Sequence, residues 1–266
     1  MVKWSNYHHP EYLTKNDYDN MITNDEKERK EIEYWKNDPN ENPNVFGINV
    51  IVNKMYEAKA FMEKVNTYYK YFSEADSILE IGGGQGWASC IIKNIFRESK
   101  VYSSDLSADA ICSVSKWEKL FDVKIDNSFS CRSHEIPLED NAVGLVFCFQ
   151  AAHHFTEHEK TLKEIYRILK PGGVCLYLRE PSCKKYIYSF AYRRVNKNRP
   201  AVHEDVLIYK EIVKTGQQCG FQVTHQFDTS CTGHHAFAAV YYYLLSKLKF
   251  LKYFFPCGSD FLFTKK

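Results

Sequence analysis

The spacing of apolar positions changes at Ser77. Before it, Ile51, Met55, Ala58, Phe61, Met62, Val65, Tyr68 and Tyr69 recur at intervals of three and four, which predicts one amphipathic helix over residues 50–72. Further upstream, Asn24 or Asp25 can cap a helix running to about Trp35, and the stretch 38–43, with two prolines and two asparagines, carries the chemistry of a loop. Residues 1–75 therefore read as a polar, helical N-terminal cap, a lid or edge element with no core of its own. From Ser77 onward, short apolar runs alternate with amphipathic segments, the pattern of a mostly parallel sheet covered by helices on both faces. Strands are predicted at 77–81, 100–104, 128–131, 143–149 and 173–179, and helices at 87–96, 108–121, 157–169 and 205–219. Lys170-Pro171-Gly172-Gly173 stops a helix and feeds a strand. After Gly220, residues 221–227 and 260–264 read as the last two strands, with an aromatic, lysine-dotted helix over 235–255 between them. No internal repeat or low-complexity tract interrupts this order.

Composition narrows the picture. At 266 residues and 44% hydrophobic, the chain can bury one α/β core over 76–266 with additions to it. Charged residues at 26% and a net charge of +2 do not call for a polyanionic partner, so no nucleic acid is expected. The nine cysteines are scattered singly with no Cys-x-x-Cys pair, which points to reduced thiols and a cytoplasmic setting. Residues 1–10 lack the basic-then-apolar order of a signal peptide, and no apolar run reaches the ~18 residues needed to span a bilayer.

The chemistry concentrates first in Glu80-Ile81-Gly82-Gly83-Gly84-Gln85-Gly86. A strand that ends in a carboxylate and passes through four glycines into a helix makes a tight turn where backbone can approach a ligand. Alone it could serve a dinucleotide, a flavin, a nucleoside or nothing. Glu80 would repel a pyrophosphate but can accept from an ammonium or hydroxyl, and no Lys-Ser or Lys-Thr follows to make a nucleotide-triphosphate loop. Asp105 ends the next strand, where a carboxylate can take both hydroxyls of a ribose. Together the two acids favour a nucleoside without phosphates.

With these residues in place, 77–182 resembles the core of the class I S-adenosylmethionine-dependent methyltransferases of the small-molecule type, the methyltransferase-11-like group. The glycine motif matches Glu80 to Gly86, the ribose acid Asp105, the Leu-Pro-Phe-x-Asp-Asn stretch Ile136 to Gly144, the His-His segment Ala152-His153-His154, and Arg-x-Leu-Lys-Pro-Gly-Gly Arg167 to Gly173. The resemblance implies a Rossmann-like seven-stranded, mostly parallel sheet with the last strand antiparallel, helices on both faces, an N-terminal helical lid and a helical insertion before the last strand. It implies S-adenosyl-L-methionine as cofactor, S-adenosyl-L-homocysteine as product, and no metal. The implied cofactor residues are Glu80, Gly82, Gly83, Gly84, Gly86, Trp87, Asp105, Leu106, Ser133, His134, Phe149 and Gln150. Two positions depart from the family: Arg132 stands where an Asp often meets adenine, and Gly144 replaces a strand aspartate.

The acceptor side should come from loops after the fourth and fifth strands and from insertions at 182–207 and 232–257. Methyl transfer needs alignment and, for an oxygen acceptor, a base. His154, His153 and His203 are the candidate catalytic residues, although the histidine pair could equally pack and cap a helix start, and His203 could simply lead into a helix. His225 and His234-His235 should border the pocket, the latter pair without the further ligands that a metal site needs. Arg179, Arg193 and Arg194, with Lys184, Lys185, Lys197 and Arg199, would suit an anionic acceptor; a solvated loop would carry the same residues. An O-directed transfer to a sugar or anionic metabolite, in surface-polysaccharide or secondary metabolism, is the expectation. A regulatory protein that binds the cofactor without turnover and a nucleotide-dependent oxidoreductase are the alternatives. The segment 237–255 could close over the pocket, pack on the N-terminal helix, form a homodimer seam or lie on a membrane surface.

Overall fold

The order of the sheet follows from which apolar runs must be covered on both sides. In the computed structural model, β1 (Ser77–Ile81) is buried throughout and β4 (Val143–Phe149) nearly so, and they lie side by side at the centre. The structure describes residues 24–37, 42, 47–197, 204–230 and 236–266. Parallel pairing carries the sheet outward from β1 to β2 (Lys100–Asp105) and β3 (Asn127–Ser130), and from β4 to β5 (Leu169–Cys183). Beyond β5, β8 (Cys257–Lys265) runs antiparallel both to β5 and to the edge strand β7 (Phe221–Asp228). The order is β3-β2-β1-β4-β5-β8-β7. This is the expected sheet with one addition: a two-residue strand, β6 (Leu207–Ile208), pairs parallel with Ser182 and Cys183 and makes the sheet eight-stranded.

Helices cover both faces. On one, α4 (Trp87–Ile95), α5 (Ala108–Cys112) and α6 (Val114–Phe121) follow the first two strands; on the other, α7 (His158–Ile168) and α9 (Tyr209–Gln218) pack over β4, β5 and β7. N-terminal to the sheet lie α1 (Asn24–Asn37), α2 (Ile48–Thr67) and the short α3 (Tyr69–Glu74). Between β5 and β6 lies α8 (Tyr188–Asn196), and between β7 and β8 lies α10 (Ala236–Lys247), extended by a 3-10 turn at Lys249–Tyr253.

Several predicted boundaries move, each for a local reason. The single helix expected over 50–72 breaks at Tyr68 (φ −107°, ψ 20°), whose hydroxyl donates to Asp260 at 3.2 Å. The helix expected over 108–121 splits at Ser113, whose hydroxyl donates to the Ala110 carbonyl at 2.6 Å. The helix expected from 205 begins at Tyr209, because Leu207 and Ile208 join the sheet. Strand β5 continues past 179 to Cys183 through a bulge between Tyr177 and Glu180, where Arg179 takes φ +63°.

Helix α2 is fastened by packing and by charge. Phe61 inserts among Trp87, Phe147 and Phe149, with ring centroids at 5.7, 5.6 and 5.2 Å. One turn on, the buried Lys64 ammonium sits 2.7 Å from Asp260 and 3.0 Å from Asp228, at the ends of β8 and β7 that face the cleft. Gly144, a departure from the family pattern, lies in the central strand β4 at the end of the sheet opposite the cleft. Its N–H donates to Ser77 Oγ at 3.1 Å, and Asp76, itself paired with Lys170, lies against it. That departure is structural and does not reach the cleft.

Candidate active site

Strand order reverses between β1 and β4, so the crevice opens at their carboxyl ends. A cavity of about 1300 Å³ occupies it, large enough for a nucleoside cofactor and a second small molecule. Its first wall is the turn after β1. Gly82 (φ +65°) approaches the Ala151 side chain so closely that a Cβ would stand 2.8 Å from it. A Cβ on Gly83 would lie 2.7 Å from Ser103 Oγ and 2.9 Å from the Glu80 carboxyl carbon. Gly84 (φ +54°) has nothing within 4 Å of that position, so its open side faces the cavity.

The two acids that flank this turn are held by hydrogen bonds from the chain itself. Glu80, 3% exposed, accepts from the N–H and hydroxyl of Ser89 in the first turn of α4, at 3.0 and 2.5 Å. Burial pushes its carboxyl up to about 8, against the opposing pull of Ser89. Asp105 accepts from the Gly84 N–H and the Ser107 N–H, both at 2.8 Å, and burial raises it as well. Both carboxylates line the cavity, and neither forms an ion pair among the described residues. A ligand that brings an ammonium and paired hydroxyls would supply the missing donors, so the residues present fit the nucleoside expected of the family.

The second wall is the 3-10 turn Ala152–His154 after β4. Glu180, fully buried, accepts the N–H groups of Ala151, Ala152 and His153 at 2.9, 2.9 and 3.1 Å and the Nδ1–H of His153 at 2.8 Å. Burial and the neighbouring His154 lower the His153 pKa, overcoming Glu180, so the ring is neutral. Burial also opposes ionisation of Glu180, but His153 and the turn's N–H groups hold that carboxyl below its usual range. Gln150 (φ +53°), just past β4, and Arg179 (φ +63°), at the bulge within β5, both left-handed, line the cavity. The Arg179 guanidinium donates to the Ser230 hydroxyl at 2.8 Å and to its carbonyl at 3.1 Å.

Helix α1 closes the cavity from above through its acids. Arg132 contacts Glu28 and Asp25 at 2.8 Å each, and His154 Nδ1 faces Glu31 at 3.0 Å. The arginine that departs from the family pattern thus fastens α1 beside the cavity.

Of the cofactor residues expected from sequence, Glu80, Gly82, Gly83, Gly84, Trp87, Asp105, Leu106, Ser133, His134, Phe149 and Gln150 all line the cavity. Gly86 does not. It is left-handed (φ +75°) at the start of α4, with Val114 2.8 Å from where its Cβ would stand, so it serves helix packing. Of the catalytic candidates, His153 and His154 are brought together with ring centroids 4.1 Å apart, whereas His203 lies outside the described residues, as do His234, His235 and the loop at 38–41. His225 lies away from the cavity, stacked on Tyr209 at 4.7 Å, and burial lowers it to about 4. The basic cluster disperses. Arg194 lines the cavity and lies over the Tyr241 ring, while Lys185 pairs with Glu211 and Lys184 lies over Tyr186, Tyr253 and Phe254. Sequence reading missed Glu28, Glu31 and Glu204 in the cleft; they lie far along the chain from their partners, and no spacing announces them. Among the described residues no helix is long and apolar enough to cross a membrane.

Comparison with known proteins agrees with this geometry. Residues 79–177 match the family described as a methyltransferase domain. The ubiquinone/menaquinone biosynthesis C-methyltransferase UbiE of Neisseria meningitidis is 29% identical over 113 residues, 41% of this chain and 44% of that protein. An uncharacterized methyltransferase-like protein of Schizosaccharomyces pombe is 37% identical over 106 residues, 38% of this chain and 36% of that one. The aligned stretch therefore spans less than half the length of these curated relatives. Geranyl diphosphate C-methyltransferase from Streptomyces coelicolor A3(2), solved with Mg2+, geranyl diphosphate and S-adenosyl-L-homocysteine, superposes with a TM-score of 0.66 at 12% identity, over 90% of this chain and 98% of that chain. The YcgJ protein from Bacillus subtilis gives 0.56 at 16% identity, over 79% and 99%. At these identities the likeness is one of fold. Residues 79–177 thus match a methyltransferase domain, set in the fold that these solved structures share.

Proposed function

We propose that the protein transfers the methyl group of S-adenosylmethionine to a small-molecule acceptor. The observation that carries this reading is the pair of buried carboxylates, Glu80 and Asp105, on either side of a glycine turn whose open face is Gly84. Glu80 would meet the ammonium of the methionine part and Asp105 the ribose hydroxyls, with Phe149, Ser133 and His134 around the remainder. The chemistry at the sulfonium is an in-line displacement, so the protein's task is to align the donor, exclude water and hold the acceptor.

Elsewhere in the cavity lining, His153, His154, Arg179, Tyr192 and Arg194 offer hydrogen-bond donors and positive charge, which suits an oxygen acceptor on a sugar or an anionic metabolite. The insertions at 182–207 and 232–257 would supply the acceptor side, and the cap over 1–75 the lid. The exposed Val240, Tyr243, Leu244 and Phe250 keep a homodimer seam or peripheral membrane contact as further proposals for 237–255. A cytoplasmic setting accords with the described cysteines, none of which is bridged.

S-adenosylhomocysteine is expected to raise the melting temperature, by an amount equivalent to about 2.7 kcal/mol at a hundredfold excess over Kd. No shift at millimolar ligand would sink the reading. Labelled S-adenosylmethionine incubated with metabolite pools identifies the acceptor. His154→Ala should lower turnover while leaving affinity for S-adenosylhomocysteine nearly unchanged.

A further inference from the structure

One cluster in the cleft has chemistry that displacement at a sulfonium does not itself require. His153 and His154 follow β4, and Glu204 lies just before β6, yet the ligand atoms these three side chains offer all fall within 4.8 Å of one another. A cation bound at about 2.1 Å by nitrogen and oxygen would bring such atoms to roughly 3.4 Å apart, a contraction within reach of side-chain rotation.

Each member of the cluster is oriented from behind. Glu180, a carboxylate that can only accept, takes the Nδ1–H of His153 at 2.8 Å and thereby fixes the ring with Nε2 as its ligating nitrogen. The same carboxylate pins the turn that carries both histidines through three backbone N–H groups. Glu31 of the lid helix faces His154 Nδ1 at 3.0 Å. A carboxylate behind each imidazole is the arrangement that orients metal-bound histidines and raises their basicity. Glu204 belongs to an irregular stretch, but its backbone is clamped. Its N–H donates to Asn196 Oδ1 at 2.7 Å and its carbonyl accepts from Asn196 Nδ2 at 2.8 Å, with Asn196 itself buried at the end of α8. Three carboxylates, Glu31, Glu180 and Glu204, thus surround two imidazoles, a charge balance that favours a dication.

We propose that His153, His154 and Glu204 form a binding site for one divalent first-row metal ion on the acceptor side of the cleft. Two imidazoles and one carboxylate suit a cation of the zinc, iron or manganese kind and leave coordination positions open. Those positions face the cavity, where a hydroxyl or other oxygen of the acceptor can complete the shell. For this role, though not for the binding itself, the inference rests on the methyltransferase reading. The bound hydroxyl loses its proton to water, its oxygen forms the new bond to the methyl carbon, and the carbon–sulfur bond breaks with its electron pair left on sulfur. The assignment replaces the expectation of no metal. It was not visible in sequence because Glu204 lies far along the chain from the histidine pair.

The test uses the full chain, free of any affinity tag and stripped of metal with a chelator that is then dialysed away. Titration with Co2+ alone is followed by visible absorption. One saturable equivalent, displaced by Zn2+, is expected, and Glu204→Gln and His154→Ala should each weaken Co2+ at least ~10-fold. His153→Ala is avoided because it would strip a partner from the buried Glu180. Thermal stabilisation by S-adenosylhomocysteine, read on the same variants, should persist and show that they are folded. Absence of saturable absorption at millimolar Co2+, or equal Co2+ affinity in both variants and the unaltered chain, overturns the metal site. Stabilisation by S-adenosylhomocysteine without Co2+ binding overturns the metal site alone. Co2+ binding that both variants weaken, without any effect of S-adenosylhomocysteine, upholds the site and overturns the methyltransferase reading.

Discussion

The two halves of the cleft are built in opposite ways. The proposed donor half is built mainly on one run of chain, from Glu80 to Ser107, in which backbone N–H groups hold the carboxylates and Gly82, Gly83 and Gly86 each answer to a named neighbour. The acceptor half is assembled from α1, the turn after β4, the bulge in β5, α8, the 204–206 stretch and α10. Its contacts include ionic pairs between residues far apart in sequence, such as Glu31 with His154, and beneath it Lys64 pairs with Asp260. The first half is specified by local conformation, the second by how separate segments come together. A substitution in the donor half should therefore act on cofactor affinity, and one in the acceptor half on the packing of several elements at once.

The largest expected effect lies beneath the acceptor half. Lys64→Ala leaves Asp228 and Asp260 buried without their ammonium, and losing one partner of a buried pair costs about 3–5 kcal/mol. Chemical denaturation measures it; a loss below about 1 kcal/mol would mean that water or Arg179 takes over and that the half is less dependent on distant pairing than argued. Gly83→Ala comes next. The added methyl meets both Ser103 and Glu80, so affinity for S-adenosylhomocysteine should fall about 100-fold, equivalent to about 2.7 kcal/mol, in titration calorimetry. Unchanged affinity would show that the donor wall yields, contrary to the comparison.

The pH response separates the halves by charge. Glu80 is pushed up to about 8, above its unfolded value of about 4.3, so the folded chain without ligand holds it protonated at neutral pH. That proton favours the fold below about pH 4.3, and its contribution is lost as pH rises towards about 8. Burial shifts Asp105 in the same direction. An incoming ammonium favours the carboxylate, so binding should release a proton and tighten between about pH 6 and 8, by no more than about tenfold per unit. Glu80→Gln should flatten the profile; a profile equally steep in that variant would assign the proton elsewhere. The smallest effect concerns the lid. Arg132→Ala removes an exposed contact to Asp25 and a part-buried one to Glu28, so affinity should drop only roughly two- to fivefold, and less at high salt. A drop that does not respond to salt would point to packing of α1 instead of charge.

Much of the donor half was legible before any coordinates. The short apolar runs around 77–81 and 143–149 read as strands, and Glu80, the glycines and Asp105 announced the ligand's chemistry by type and spacing. Gly86 shows the limit even there, since a glycine within the motif turned out to serve Val114 rather than the cavity. In the acceptor half His153, His154, Arg179 and Arg194 stood out, but not the acids that meet them. The breaks at Tyr68 and Ser113 and the short strand β6 arise from single hydrogen bonds or from pairing with a strand already in place, and these leave no periodicity behind.

The sequence by itself determined the strands of the sheet and the donor turn, because burial on two faces and positive φ impose residue types at short, fixed intervals; the direction of the last strand came only from the resemblance. Only the tertiary structure decided that Arg132 would fasten α1, that Lys64 would sit between two aspartates, and that Glu204 would come within 4.8 Å of the histidine pair. Those meetings depend on where long connections bring their ends. The entropy of closing a connection varies only slowly with its length, so length gives no sign of which residues will meet.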